Sequence, residues 1–198
     1  VNYDVCIKTK TAGDREVESN DSAATANSVK NGKTYYGSIS SSSDKDYYKI
    51  KMSKAGYLQL KFGHKNNQGT ASCYNVVLYN KDNSEIYKFT STGTETSFTS
   101  CKLGLAAGEY YVCVSQASTL YTGDYTICMT QKAASGWETE NNGDWATADN
   151  IKVGKAVKGV ITDFSSDEDF YRFTLTKAQY INFSLAHEKI NDAGRSWY

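Results

Sequence analysis

The sequence has no proline, and only two histidines and two methionines occur among its 198 residues. Without proline, Gly, Asn, Asp and Ser must make the changes of chain direction. With only His64 and His187 available, a histidine-built metal site is not expected, and no HExxH, nucleophile elbow or phosphate loop occurs. No apolar run reaches the roughly 18 residues that suggest a membrane span. An excess of one charge is also missing, since 22 acidic and 22 basic residues cancel. No basic patch suited to a phosphate backbone stands out, so neither nucleic acid nor membrane is an expected partner. The five cysteines form no CxxC pair, which argues against zinc.

The chain does contain itself twice. Tyr3-Asp4-Val5-Cys6-Ile7 lines up with Tyr125-Thr126-Ile127-Cys128-Met129, and Glu16-Val17-Glu18-Ser19-Asn20 with Glu138-Thr139-Glu140-Asn141-Asn142. Ala24-Thr25-Ala26 returns as Ala146-Thr147-Ala148. After one inserted residue, Asp44-Lys45-Asp46-Tyr47-Tyr48 returns as Asp167-Glu168-Asp169-Phe170-Tyr171. A period of about 120 residues is domain-sized, far longer than a solenoid repeat. The spacing divides the chain into residues 1–10, the closing strand of a preceding copy; 11–132, a complete copy; and 133–198, the first half of a following one. Strands left without their domains, Tyr3–Thr9 and those near 157–162, 170–175 and 180–185, are expected to pair with each other within or between chains.

Alternation of two marks the strands. Tyr47–Met52, Tyr57–Phe62, Tyr110–Val114, Tyr125–Met129 and Phe170–Leu175 all alternate and are rich in Tyr, Val, Ile and Phe, as half-buried antiparallel strands are. Asn75–Tyr79, Ile86–Phe89 and Thr96–Leu103 add further strands. Asp21–Asn27 reads as a turn or brief helix. About eight evenly spaced strands per copy predict an all-β, jelly-roll-like antiparallel β-sandwich. Cys113 and Cys128 would form a cross-strand disulfide if their strands were neighbours; free thiols are the equal alternative.

The acidic linkers carry the chemistry. Glu16, Glu18 and Asn20 alternate, so an extended chain projects three oxygen-bearing groups from one face. Asp21 follows, and Asp44 and Asp46 alternate where a strand opens. Calcium takes six to eight oxygen ligands in a flexible geometry, and no His or Cys belongs to this set. Without a cation, clustered carboxylates would repel one another. The second copy offers Glu138, Glu140, Asn142, Asp167 and Asp169; Gly143 replaces Asp21, with Asp144 one residue away as a substitute.

The ordered set Glu-x-Glu-x-Asn-Asp, Ala-Thr-Ala, Gly37-Ser38-Ile39, Asp-x-Asp-Tyr-Tyr, Lys54-Ala55-Gly56-Tyr57-Leu58 and Gly123-Asp124-Tyr125-Thr126-Ile127 resembles the bacterial pre-peptidase C-terminal domain. It is similar to the collagen-binding modules of clostridial collagenases. The resemblance implies a β-sandwich on a secreted bacterial protein, beside a peptidase. It also implies calcium held by Glu16, Glu18, Asn20, Asp21, Asp44 and Asp46. The positions that carry collagen-gripping tyrosines in that branch are Ser115 and Ala117 here, so collagen binding is not carried over.

No enzyme is expected. His64 and His187 are repeated, as structural residues are, and Asp167 and Asp169 lie on one strand rather than across a cleft. The expected role is an extracellular or cell-surface accessory or spacer module. Its expected partners are neighbouring domains of the same polypeptide. The alternative is a matrix-protein or carbohydrate-binding module using exposed aromatics among the 16 Tyr, 7 Phe and 3 Trp. Trp137 and Trp145 are expected to pack the second linker against a neighbouring domain.

Overall fold

The computed structural model describes residues 2–9, 12–66, 69–117, 123–163 and 166–187. The strands are β1 (Asn27–Ser28), β2 (Thr34–Ile39), β3 (Lys45–Met52), β4 (Gly56–His64), β5 (Ser72–Asn80) and β6 (Glu85–Thr92). They continue with β7 (Ser97–Thr99), β8 (Leu103–Leu105), β9 (Gly108–Gln116), β10 (Gly123–Ala133), β11 (Asp149–Asn150) and β12 (Tyr171–Arg172). One sheet runs β1-β3-β9-β5-β6; the other runs β2-β10-β4-β7, with β8 also paired to β4. Together they make an all-β sandwich, and no helix occurs among the described residues.

Alternation decides what lies between the sheets. Tyr48, Ile50 and Met52 from β3, Val76 and Leu78 from β5, and Val112 and Val114 from β9 face Leu58, Leu60 and Phe62 from β4 and Tyr125, Ile127 and Met129 from β10. In the two Tyr-Tyr pairs, Tyr48 and Tyr110 are buried while Tyr47 and Tyr111 are half-buried on the outer face, as a pleated strand requires.

Several details differ from the pattern-based reading. Residues 96–103 do not form one strand: β7 and β8 are separated at Ser100, whose backbone N–H donates to Leu60 O (2.9 Å) while its Oγ accepts from Leu60 N (2.9 Å). Residues 21–27 form a turn closed by Thr25 N–H to Ser22 O (3.1 Å), then enter β1. The sandwich is not wholly antiparallel, because β1 pairs with β3 in parallel, as β11 does with β12. Cys113 lies on β9 and Cys128 on β10, in opposite sheets, so their strands are not neighbours; all five cysteines are free thiols. Of the strands expected in the second copy, Tyr171–Arg172 forms one, and Lys158 makes a single parallel bridge to Trp137. Residues 2–9 and 173–187 do not pair with one another within the chain.

Candidate metal centre

The first acidic linker enters the sandwich as an extended strand lying parallel to β2. Arg15 bridges Tyr36, with Glu16 N–H donating to Tyr36 O (3.0 Å) and Tyr36 N–H to Asp14 O (2.8 Å). Further on, Tyr47 N–H donates to Asn20 O (2.9 Å), which fixes the end of the linker against the start of β3. Between these clamps Asn27 holds the backbone of Val17: its Oδ1 accepts Val17 N–H (2.6 Å) and its Nδ2 donates to Val17 O (3.0 Å). With Val17 turned away, Glu16 and Glu18 share the other face, as the period of two demands; Glu16 is half-buried and Glu18 exposed.

Glu16 reaches in over Gly37. Its Oε1 accepts Ser38 N–H (2.6 Å), and its Oε2 accepts from the hydroxyls of Tyr48 (3.0 Å) and Tyr125 (3.3 Å). A Cβ at position 37 would collide with the Tyr125 hydroxyl and fall 2.5 Å from Glu16 Oε2, so only glycine leaves room for the carboxylate. Asp46, fully buried, accepts from the Tyr125 hydroxyl (2.5 Å). One carboxylate oxygen from each of Glu16, Glu18 and Asp46 lies within 4.8 Å of the others. Asn20, also fully buried, sets its side-chain amide 3.0 Å from Glu18 Oε2 and 3.1 Å from Asp46 Oδ1.

The three carboxylates and the Asn20 amide thus converge. Three things could relieve the repulsion: a cation, a proton on Asp46, or the Asn20 amide turned so that its nitrogen donates to both carboxylates. Asp44 and Asp21 stand just outside this group. Asp44 accepts Ser40 N–H (2.5 Å), and Asp21 accepts from Ser19 Oγ (2.9 Å) and Lys45 N–H (3.3 Å). Both still act on the site by charge: burial is the main cause that raises Glu18, and the charges of Asp44, Glu16 and Asp21 add to it. Burial also pushes Asp46 up to about 8, opposed by the Tyr125 hydrogen bond.

The second linker repeats much of this arrangement. Glu138 Oε1 accepts Val160 N–H (2.6 Å) and Glu138 Oε2 accepts the Tyr171 hydroxyl (2.8 Å). Gly159 leaves room for them, since a Cβ there would collide with Glu138 Oε2 and lie 2.6 Å from the Tyr171 hydroxyl. Phe170 N–H donates to Asn142 O (3.0 Å), and Asp167 accepts Thr162 N–H (2.5 Å). Each linker carries a cis peptide at the same place, Glu18–Ser19 and Glu140–Asn141. Glu138, Glu140 and Asp169 converge as the first triad does, and the fully buried Asn142 sets its side-chain amide 3.2 Å from both Glu140 Oε2 and Asp169 Oδ1. Buried Glu140 Oε1 accepts no hydrogen bond from the described residues. Burial raises Glu138 and Glu140 to about 8 and Asp169 to about 6. Asp144 does not take the place of Asp21: it caps the exposed turn, accepting Ala146 N–H (2.7 Å) and Thr147 N–H (2.8 Å).

The second site also leans on the complete sandwich. Glu140 N–H donates to Gly104 O (3.0 Å) on β8, Asn141 Nδ2 donates to Glu85 O (2.9 Å), and Trp137 packs on Tyr57 with ring centroids 5.1 Å apart. Trp145 lies outside this seam, 81% exposed and edge-on to Phe170. Spacing of acidic residues did not reveal Tyr48, Tyr125, Gly37 or Asn27. Their repeat partners Tyr171, Tyr3, Gly159 and Asp149 were the available signal.

No family model and no curated protein matches the sequence. Among solved structures, the chain is similar to the pre-peptidase C-terminal domain of a collagenase from Bacillus anthracis, at 16% identity and a TM-score of 0.44 over 53% of this chain and 94% of that one. It is also similar to PliG, a periplasmic inhibitor of g-type lysozyme from Aeromonas hydrophila, at 14% identity and 0.41 over 54% and 96%. A third likeness is to the Yersinia pseudotuberculosis-derived mitogen, at 15% and 0.38 over 57% and 92%. At these values the likenesses assign no family.

Proposed function

We propose that this chain is a non-catalytic, calcium-stabilised accessory or spacer module of a secreted or surface-bound bacterial protein, beside a peptidase or other exoenzyme. The observation that supports the calcium reading is the convergence of one carboxylate oxygen from each of Glu16, Glu18 and Asp46 within 4.8 Å, beside the fully buried Asn20, repeated by Glu138, Glu140 and Asp169 beside Asn142. Glu16, Glu18, Asn20 and Asp46 would hold one ion, and Glu138, Glu140, Asn142 and Asp169 another. Asp21, Asp44 and Asp167 border them. The donors are all hard oxygens, which suits calcium rather than zinc or copper. A bound ion would neutralise the converging charges and tie each linker to the strand that follows. Glu16, Tyr48, Tyr125 and Gly37 shape the receiving pocket.

An ion that binds only the folded chain adds about 2.7 kcal/mol of stability at a hundredfold excess over Kd. Calorimetric titration of calcium into chelator-treated protein, with melting curves alongside, should give binding heat and a raised Tm. No heat and an unmoved Tm would refute the reading.

An alternative reading is a matrix-protein or glycan-binding module. It rests on Tyr47, Tyr111 and Tyr79, half-buried on the outer face of neighbouring strands β3, β9 and β5. Binders on a glycan and matrix-protein array would favour it over the spacer.

A further inference from the structure

The first acidic site is closed by β10. That strand lies between β2 and β4, and in its register Tyr125 stands directly opposite Gly37. From there the Tyr125 hydroxyl donates to Asp46 Oδ2 (2.5 Å) and Glu16 Oε2 (3.3 Å) and meets the Tyr48 hydroxyl at 2.7 Å. Ile127 and Met129 follow on the same face, opposite Phe62 and Leu60 of β4, and all of these are buried.

The second site has counterparts of Glu16, Asp46, Tyr48 and Gly37 in Glu138, Asp169, Tyr171 and Gly159, but none of Tyr125 among the described residues that surround it. Glu138 Oε2 accepts one tyrosine hydroxyl, where Glu16 Oε2 accepts two. Tyr171 is 37% exposed, whereas Tyr48 is fully buried. Residues 157–161 repeat residues 35–39 of β2. On one side Lys158 bridges Trp137, as Tyr36 bridges Arg15; on the other no strand lies beside them among the described residues. Residues 180–187 repeat residues 57–64 of β4, yet Phe183 and Leu185 are exposed where Leu60 and Phe62 are buried.

A strand that fits this place stands unused elsewhere in the chain. Tyr3, Val5 and Ile7 are the repeat-equivalents of Tyr125, Ile127 and Met129. Residues 2–9 pair with nothing in the chain, and Tyr3, Val5 and Ile7 are 83, 75 and 85% exposed. At the register of the first copy, Tyr3 would lie opposite Gly159, Val5 opposite Leu185 and Ile7 opposite Phe183. The apolar side chains now in water on the two segments are the ones that this pairing would bury against each other. Main-chain hydrogen bonds would join the strands, and the period of two would fix the register.

We propose that residues 2–9 of a second copy of this chain add as a strand between residues 157–161 and 180–187, and that the second copy's Tyr3 brings its hydroxyl to Glu138 and Asp169. The second acidic site is then completed by a partner molecule, in the way that Tyr125 completes the first from within. The pairing needs no cation and stands apart from the calcium reading.

The test uses the full chain and reads association by sedimentation velocity. The parent chain should associate as its concentration rises. Val5→Asp with Ile7→Asp disables the added strand, and Phe183→Asp with Leu185→Asp disables the receiving one; all these positions are exposed, so the sandwich core is left as it is. Each double variant alone should stay a monomer. An equimolar mixture of the two should form a one-to-one heterodimer, because each supplies what the other lacks. Tyr3→Phe keeps the ring and removes the hydroxyl, and should weaken association on the order of tenfold, as loss of a hydrogen bond to a charged acceptor does. A parent chain that is monomeric at every concentration, double variants that still associate on their own, a mixture that stays monomeric, or a Tyr3→Phe affinity equal to that of the parent would each overturn the proposal.

Discussion

Asp46 is an acid placed where acids are uncomfortable. It is fully buried beside Glu16, and burial lifts it to about 8; Glu138 and Glu140 reach about 8 and Asp169 about 6. Between the ordinary carboxylate range near pH 4 and these raised values, the folded chain holds protons that the unfolded chain releases. Metal-free stability is therefore fully present below about pH 4 as far as these groups are concerned, and it is lost as pH rises toward 8. Melts in chelator from pH 5 to 8.5 should show a falling Tm. Calcium should flatten or reverse the trend, because it binds the deprotonated form and releases protons. A metal-free Tm that rises over this range would contradict the shifts. At this scale the alternating Glu-x-Glu-x-Asn pattern was readable directly, since period two says which side chains share a face. The hydroxyl of Tyr125 was not, because it comes from a strand 109 residues from Glu16.

At the scale of elements, most strands were legible because one face of each is apolar. Residues 96–103 are an exception: they look like one strand, yet the backbone and hydroxyl of Ser100 both bond to Leu60 and divide β7 from β8. The Cys113 and Cys128 strands alternate in the same way, but alternation cannot say which sheet a strand joins. The second linker shows what a short element can do: it pairs with β8 through Gly104, reaches β6 through Asn141, and stacks Trp137 on Tyr57. Replacing Trp137 by Ala removes that stack while leaving the buried core between the sheets untouched. Limited proteolysis should then cut within residues 134–142 faster than in the parent chain, with the sandwich core still resistant. Equal cleavage of both proteins would mean that the ring contact does not hold the linker.

Across the whole molecule, the two linkers occupy different positions. The first is folded against its own sandwich, through β2 and β3. The second bonds both to residues 158–171 that follow it and to β6 and β8 behind it, so its acidic residues lie at a seam. The internal likeness of the sequence made the two sites comparable, but it could not reveal this difference, because a linker's neighbours are set by tertiary packing.

The threading of Glu16 beneath the hydroxyls of Tyr48 and Tyr125 has a consequence in time. The pocket that receives it draws on β2, β3 and β10, and its contacts close loops of 22 to 109 residues. Such loops are the last to be rewarded during folding, so the linker should close over a structure already assembled. Interactions absent from the transition state slow unfolding and leave the folding rate alone. Stopped-flow refolding and unfolding with calcium and with chelator should differ in the unfolding limb and coincide in the folding limb; a folding limb accelerated by calcium would place the pocket in the nucleus instead. Calcium would then govern how long the folded chain lasts, and not how quickly it forms.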